Sequence, residues 1–174
     1  MSRADRERWD ARFAGGDAGE PVPPAALAGR EHLLPAAGRA LDVACGRGAV
    51  AVWLAQRGSA VDAVDVSPVG LAAGRARPGG DAVRWIEADL DDGLPVAGPY
   101  DVVVSQRFRA PALYGALVDA LAPGGLLVVT VLAGGDGPHR AGPGELLAAF
   151  GHLAVVHHEE TGSEAHLVAR RPFL

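Results

Sequence analysis

Apolar and polar positions change rhythm several times along the chain, and each rhythm predicts an element. Residues 3–14 are charged at most steps, with Trp9 and Phe13 one helical turn apart. Ser2 and Asp5 stand at capping-box spacing ahead of this run and Gly15-Gly16 ends it, so a helix is predicted. "GDAGEPVPP" is a loop, and residues 25–34 read as a second helix that stops before Pro35. From residue 39 onward, short apolar runs alternate with helix-period stretches. Strands are predicted over 39–44, 60–66, 83–87, 100–105 and 126–132, and helices over 49–57, 67–77, 111–121 and 145–150. Ser67 is placed to cap its helix, with Pro68 at the first helical position. "APGG", at 122–125, reads as a turn. The runs 153–160 and 165–170 flank "TGSE" and read as a β-hairpin.

Repeated strand–helix units imply an α/β fold with a parallel sheet covered on both faces, and the closing hairpin makes the last strand antiparallel. A length of 174 residues suits one domain, with residues 1–35 as an N-terminal helical cap and 38–174 as the core. Apolar residues make up 49% and charged residues 21%, which is a globular balance.

Composition removes several chemistries. All 16 basic residues are arginine. There is no Schiff-base lysine, no phosphate-loop lysine and no Tyr-x-x-x-Lys pair. The net charge is −5, and Arg3, Arg6, Arg8 and Arg12 interleave with Asp5, Glu7 and Asp10. That reads as a solvated helix face, so no nucleic-acid partner is expected. Cys45 is the only cysteine, which fits a reducing cytosol. The first residues lack an apolar signal core, and the run 126–133 is too short to span a bilayer. The expectation is a cytoplasmic monomer or homodimer without membrane contact. The spacing of His157, His158 and His166 matches no metal signature, so no metal is expected.

The stretch with most chemical content is "LDVACGRGAV", residues 41–50. Gly46, Gly48 and Ala51 fit G-x-G-x-x-A, and Asp65 falls 19 residues after Gly46, where a ribose-binding acid is expected. On spacing alone an NAD site stays open. Asp42 opposes it. A pyrophosphate site offers backbone N–H groups and a helix N-terminus to negative charge, and a carboxylate beside them is repulsive. A cationic ligand reverses the sign. S-adenosylmethionine carries a sulfonium, an ammonium and a carboxylate but no phosphate. Asp42 is then expected to hold the glycine turn by accepting backbone N–H bonds. Gly46 and Gly48 are expected to clear Cβ atoms from the path of the methionine moiety.

The pieces "LDVACGRG", "VDAVDVSP", "WIEADLDD", "YDVVVSQRF" and "LAPGGLLVV" occur in that order over residues 38–132. This ordered set resembles the class I S-adenosylmethionine-dependent methyltransferases, nearest to small bacterial ones, with a looser likeness to the tellurite-resistance and thiopurine methyltransferases. "WDARF" and the tail from 142 extend the similarity. The resemblance implies a Rossmann-like sandwich whose mostly parallel seven-stranded sheet runs 3-2-1-4-5-7-6, with helices on both faces. It implies S-adenosylmethionine as cofactor and S-adenosylhomocysteine as product. Gly46 would meet the methionine amino group, Asp65 the ribose hydroxyls and Val66 the adenine. Asp89 would accept from the adenine amino group, with Leu90 beside the ring. Ser105 and Gln106 would lie near the transferred methyl, and Trp9 and Arg12 would belong to a lid. Asp42, Ala44, Arg47, Gly48 and Ser67 complete the expected cofactor set.

The acceptor side is thinner. "SQRFRAP" and "GGDGPHRAG" are the candidate segments. Arg107 and Arg109 suit an anionic substrate or an exposed loop equally. His139 is a candidate base. The Asn/Asp-Pro-Pro-aromatic motif of amino-directed nucleic-acid methylases is replaced by "SQRF", which favours a small-molecule acceptor. Three classes remain open: a small-molecule methyltransferase, an NAD(P) oxidoreductase, and a non-catalytic S-adenosylmethionine-binding module.

Overall fold

The computed structural model describes residues 2–173. Helix α1 (Arg3–Ala14) begins at the expected capping box: Ser2 Oγ accepts from the Asp5 N–H at 3.2 Å, and Asp5 Oδ2 accepts from the Ser2 N–H at 2.9 Å. No residue of α1 is fully buried. A helix polar on nearly all sides needs outside contacts to hold it. It lies against α3 (Pro68–Ala76), where Asp10 accepts from the Ser67 hydroxyl and Arg6 pairs with Glu87 at 3.2 Å.

The helix expected over 25–34 is not formed. Two single 3-10 turns, Ala25–Leu27 and Glu31–Leu33, replace it. Gly29 separates them in the left-handed region, at φ +75°, where a right-handed helix cannot continue. The burial that motivated a helix is real, since Leu27 is completely buried, but one turn delivers it.

The parallel strands are β1 (Gly38–Val43), β2 (Ser59–Asp65), β3 (Val83–Glu87), β4 (Tyr100–Gln106) and β5 (Leu121–Ala133), with the two-residue β6 (Arg140–Ala141) beside the end of β5. The hairpin is β7 (Ala154–Glu160) and β8 (Glu164–Arg170). The sheet order is β3-β2-β1-β4-β5-β8-β7, and β8 runs antiparallel to β5. This is the expected order, but with eight strands rather than seven, because β6 joins off the path. "APGG" lies inside β5 as an irregularity: Tyr100 faces Leu121, yet Val102 faces Leu126.

Helices α2 (Ala49–Gln56), α4 (Tyr114–Asp119) and α5 (Glu145–Phe150) complete the elements. Leu126 and Val128 of β5 pack with Val52, Leu54 and Leu27 on one face, while Leu127, Val129 and Val131 pack with Leu117, Leu146 and Phe150 on the other. Burial on both faces explains the unbroken apolar run of β5. Each such Leu or Val contributes about 1.5–3 kcal/mol by leaving water. At the amino ends of the strands, Asp62 is 8% exposed and accepts from the Tyr100 hydroxyl at 2.6 Å. Arg39 stands 3.5 Å from Asp62 and covers the Tyr100 ring at 4.3 Å. Burial and the Asp62 contact push the Tyr100 phenol up to about 12. This end is therefore closed by a satisfied polar cluster.

Candidate active site

The carboxyl ends of β1, β2 and β4 open into a cleft of about 320 Å3. In open α/β sheets this is where ligands bind, at the point where strand order reverses. β1 is that point here, since β2 lies on one side of it and β4 on the other. Trp9, Arg12, Asp42, Ala44, Gly46, Arg47, Gly48, Asp65, Val66, Leu90 and Gln106, all named from the sequence, line the cleft, as does Arg107.

The glycine turn is built by two acids with unequal tasks. Asp65 Oδ2 accepts from the Gly46 N–H and its Oδ1 from the Ser67 N–H, both at 2.9 Å. The loop-holding role expected of Asp42 thus falls to Asp65. Asp42 is 2% exposed, and its Oδ2 has no hydrogen-bond partner. Burial, and then the neighbouring charge of Asp65, push the Asp42 carboxyl up to about 8. Burial also raises Asp65, against the opposing pull of its backbone donors. The Cys45 thiol is pushed well up by burial and stays protonated.

The glycines also make room within the protein itself. Gly48 takes φ +73°, and a Cβ there would collide with the Trp85 ring. A Cβ on Gly46, at φ +55°, would stand 3.1 Å from the Phe13 ring. Both positions are shaped by this chain's own aromatic side chains. Phe13 stacks on Trp9 with centroids 5.6 Å apart, so α1 forms one wall of the cleft.

Arg47 lines the cleft, but its guanidinium is turned onto the chain behind α1. It donates to the carbonyls of Arg12, Phe13, Gly15 and Asp17, the last at 2.9 Å. Arg77 donates to the Ala18 carbonyl. Two arginines therefore fix the connection that carries α1. Gln106 Oε1 accepts from the Ala25 N–H at 2.8 Å. Arg107 takes φ +56°, donates its N–H to Thr130 and pairs with Glu164 at 2.9 Å.

Five expected residues do not line the cleft. Ser105 is buried on the opposite face, with Val43, Phe108, Leu113 and Tyr114 around it, because alternate residues of a strand face opposite ways. Ser67 is fully buried, caps α3 and accepts from the Gly70 N–H. Asp89 accepts from the Asp91 N–H and caps a 3-10 turn. His139 is exposed on its loop. Arg109 is occupied as well: it makes a two-pronged pair with Glu145 at 2.8 and 2.9 Å, and Glu145 also accepts from Tyr114. Conversely Phe13, Val22, Cys45, Ala49, Val50 and Phe108 line the cleft without having been assigned to it. Phe13 was legible as the stacking partner of Trp9, whereas Val22 sits in a loop with no periodic signal. Among the described residues, no group of three His, Cys, Asp or Glu side chains is placed to hold a metal ion, and no helix is long and apolar enough to cross a membrane.

The open sheet and its acid-lined cleft define the class of α/β proteins that bind a nucleoside-type ligand at the strand ends. Residues 40–125 match the family model described as a methyltransferase domain. This stretch, just under half of the chain, is similar to methyltransferase domains, and solved structures of the same fold include S-adenosylmethionine-dependent methyltransferases, which supports that family and its cofactor. The chain is 33% identical over 124 residues to the ribosomal protein L11 methyltransferase of Dechloromonas aromatica, covering 70% of this chain and 41% of that one. It is 39% identical over 89 residues to the ribosomal RNA small subunit methyltransferase C of Idiomarina loihiensis, covering 49% and 26%. The chain thus spans well under half the length of these curated relatives. TehB of Haemophilus influenzae superposes with a TM-score of 0.73 at 16% identity, covering 84% of this chain and 61% of that one, which shows the shared fold.

Proposed function

We propose that this chain binds S-adenosylmethionine in the cleft and transfers its methyl group to a small-molecule acceptor. One observation carries the reading: two carboxylates, Asp42 and Asp65, line the cleft at the glycine turn. A diphosphate would meet repulsion there, whereas a sulfonium and an ammonium meet attraction. The orphaned Oδ2 of Asp42 makes the same point, since a buried polar atom without a partner suits a ligand of opposite charge.

Bound there, S-adenosylmethionine supplies an electrophilic methyl group open to in-line displacement. The chain's residues supply position. Gly46 and Asp65 hold the turn, Val66 and Leu90 give an apolar surface for a base, and Trp9 and Arg12 cover the site from α1. Orientation of two reactants is worth about 7–11 kcal/mol at best. Gln106, Arg107 and Phe108 form the acceptor rim, and an acceptor that must lose a proton on methylation gives it to solvent there.

A cleft of about 320 Å3 sits at the small end of the range for small-molecule pockets, so the acceptor reaches the methyl at the rim. The net charge of −5 disfavours an RNA acceptor, although the matched relatives named above act on ribosomal RNA or a ribosomal protein. Calorimetry against S-adenosylmethionine, S-adenosylhomocysteine and NAD tests the cofactor. Transfer of labelled methyl to a metabolite extract, with ribosomes run in parallel, tests the acceptor. NAD binding with no response to either sulfur ligand overturns the reading, and labelling confined to ribosomes overturns the small-molecule part.

A further inference from the structure

Two carboxylates meet at the floor of the cleft, and hydrogen bonding divides them. Both oxygens of Asp65 accept backbone N–H groups. Asp42, one strand over, is 2% exposed with an unpartnered Oδ2. The amide of Ala51 on α2 favours its charged form, and little else does. Asp65 faces it from β2, and Asp10 on α1 adds negative charge behind Asp65. The adjoining Cys45 thiol is neutral. Helix α2, "AVAVWLAQ", brings no ionisable side chain. From the turn, the Arg47 guanidinium is committed to the carbonyls of residues 12–17, and from β4 the Arg107 guanidinium to Glu164. A carboxyl in such surroundings keeps its proton.

We propose that Asp42 sets the charge selectivity of the cofactor site. It is a neutral acid in the ligand-free protein and gives its proton to solvent when a sulfonium ligand enters, so the methyl donor is held more tightly than the thioether product. This rests on the methyltransferase reading above. The balance is one for one. The carboxylic O–H breaks, its proton goes to bulk water, and the arriving positive charge replaces it. Once the sulfur is neutral, only the ligand's ammonium remains as counter-charge, and the carboxylate beside Asp65 takes a proton back from water. Reprotonation thereby favours release of the product. Asp42 would act on the donor–product distinction through charge, while Asp65 keeps the turn in place in both states.

The test is isothermal calorimetry of wild type and Asp42→Asn with S-adenosylmethionine and S-adenosylhomocysteine. Titrations run at pH 6, 7 and 8 in buffers of different ionisation enthalpy, which counts protons exchanged per ligand. In wild type, donor affinity is expected to rise about tenfold or more between pH 6 and 8, with about one proton released at pH 7. S-adenosylhomocysteine releases a smaller fraction. In Asp42→Asn the release and the pH dependence fall to what the ligand's own amino group contributes, and the preference for donor over product shrinks several-fold. Donor affinity that is flat from pH 6 to 8, or proton release equal in wild type and variant, overturns the proposal. Where the variant does not fold, equal release for donor and product in wild type overturns it just as well. A folded wild type that binds neither ligand overturns the methyltransferase reading itself, which separates the two failures.

Discussion

The Asp65 carboxylate accepts the Gly46 N–H at 2.9 Å, tying the end of β2 to the turn after β1. A bond of this kind, to a charged acceptor in a half-closed site, is worth about 1.5–3 kcal/mol. Asp65→Ala removes it together with the Ser67 bond and leaves two N–H groups without partners. We expect a loss of about 2–4 kcal/mol in stability by urea unfolding, and a loss of about 1–3 kcal/mol in S-adenosylmethionine affinity in the variant molecules that remain folded. Unchanged affinity in calorimetry removes Asp65 from the cofactor site.

Asp42 makes the ligand-free protein less stable as pH rises. Its folded-state value lies near 8 and its ordinary value is 3.8. Below the ordinary value the group is protonated in both states and contributes nothing. Above it the unfolded chain ionises first, so the folded state loses up to about 1.4 kcal/mol per pH unit until the folded group titrates as well. The unfolding midpoint of wild type relative to Asp42→Asn is expected to fall steadily between pH 5 and pH 8. A constant difference would show that Asp42 is ionised in the folded protein.

Arg47 is the staple for α1. Arg47→Lys keeps the charge but replaces a planar fork by a point donor that cannot reach four carbonyls together. We expect faster hydrogen exchange across residues 3–18, with the central strands unchanged. Exchange that is equal in both proteins locates the anchorage of α1 elsewhere, at the Asp10–Ser67 and Arg6–Glu87 contacts.

The Arg109–Glu145–Tyr114 group holds α4 and α5 together away from the cleft. The hydrogen bond from Arg109, ahead of that from Tyr114, holds the Glu145 carboxyl below its ordinary range. Its stabilising effect is present at neutral pH and lost as pH falls below the ordinary carboxylate value. Glu145→Gln is expected to cost about 1–2 kcal/mol in urea unfolding at pH 7 and nothing in cofactor affinity. A change in S-adenosylmethionine binding by calorimetry would return Arg109 to the acceptor side.

Much of this architecture was legible because local signals agreed with the fold. The alternation of β1 to β5 with their helices, the cap at Ser67 and the closing hairpin each follow from a period or a turn that needs no distant partner. The misses share a cause in long-range packing. Residues 25–34 are apolar enough for a helix, yet Gly29 turns left and the chain gains its burial from single turns against the sheet. Ser105 was placed near the methyl by the family resemblance, and the strand's two-residue repeat sends it to the other face. Arg109 read equally as a substrate contact or an exposed loop charge, and the fold brings Glu145 to it from 36 residues away. The glycine turn was found from spacing alone, but the exchange of tasks between Asp42 and Asp65 depends on which carboxylate can reach the Gly46 N–H.

The Asp62–Tyr100–Arg39 cluster seals one end of the sheet, and the cleft opens at the other, with fully buried strand between them. Anchorage and chemistry are thereby insulated. Rewriting the rim at 106–110 leaves the seal intact, so the cleft end of the sheet can be redesigned without touching the cluster that closes the other end.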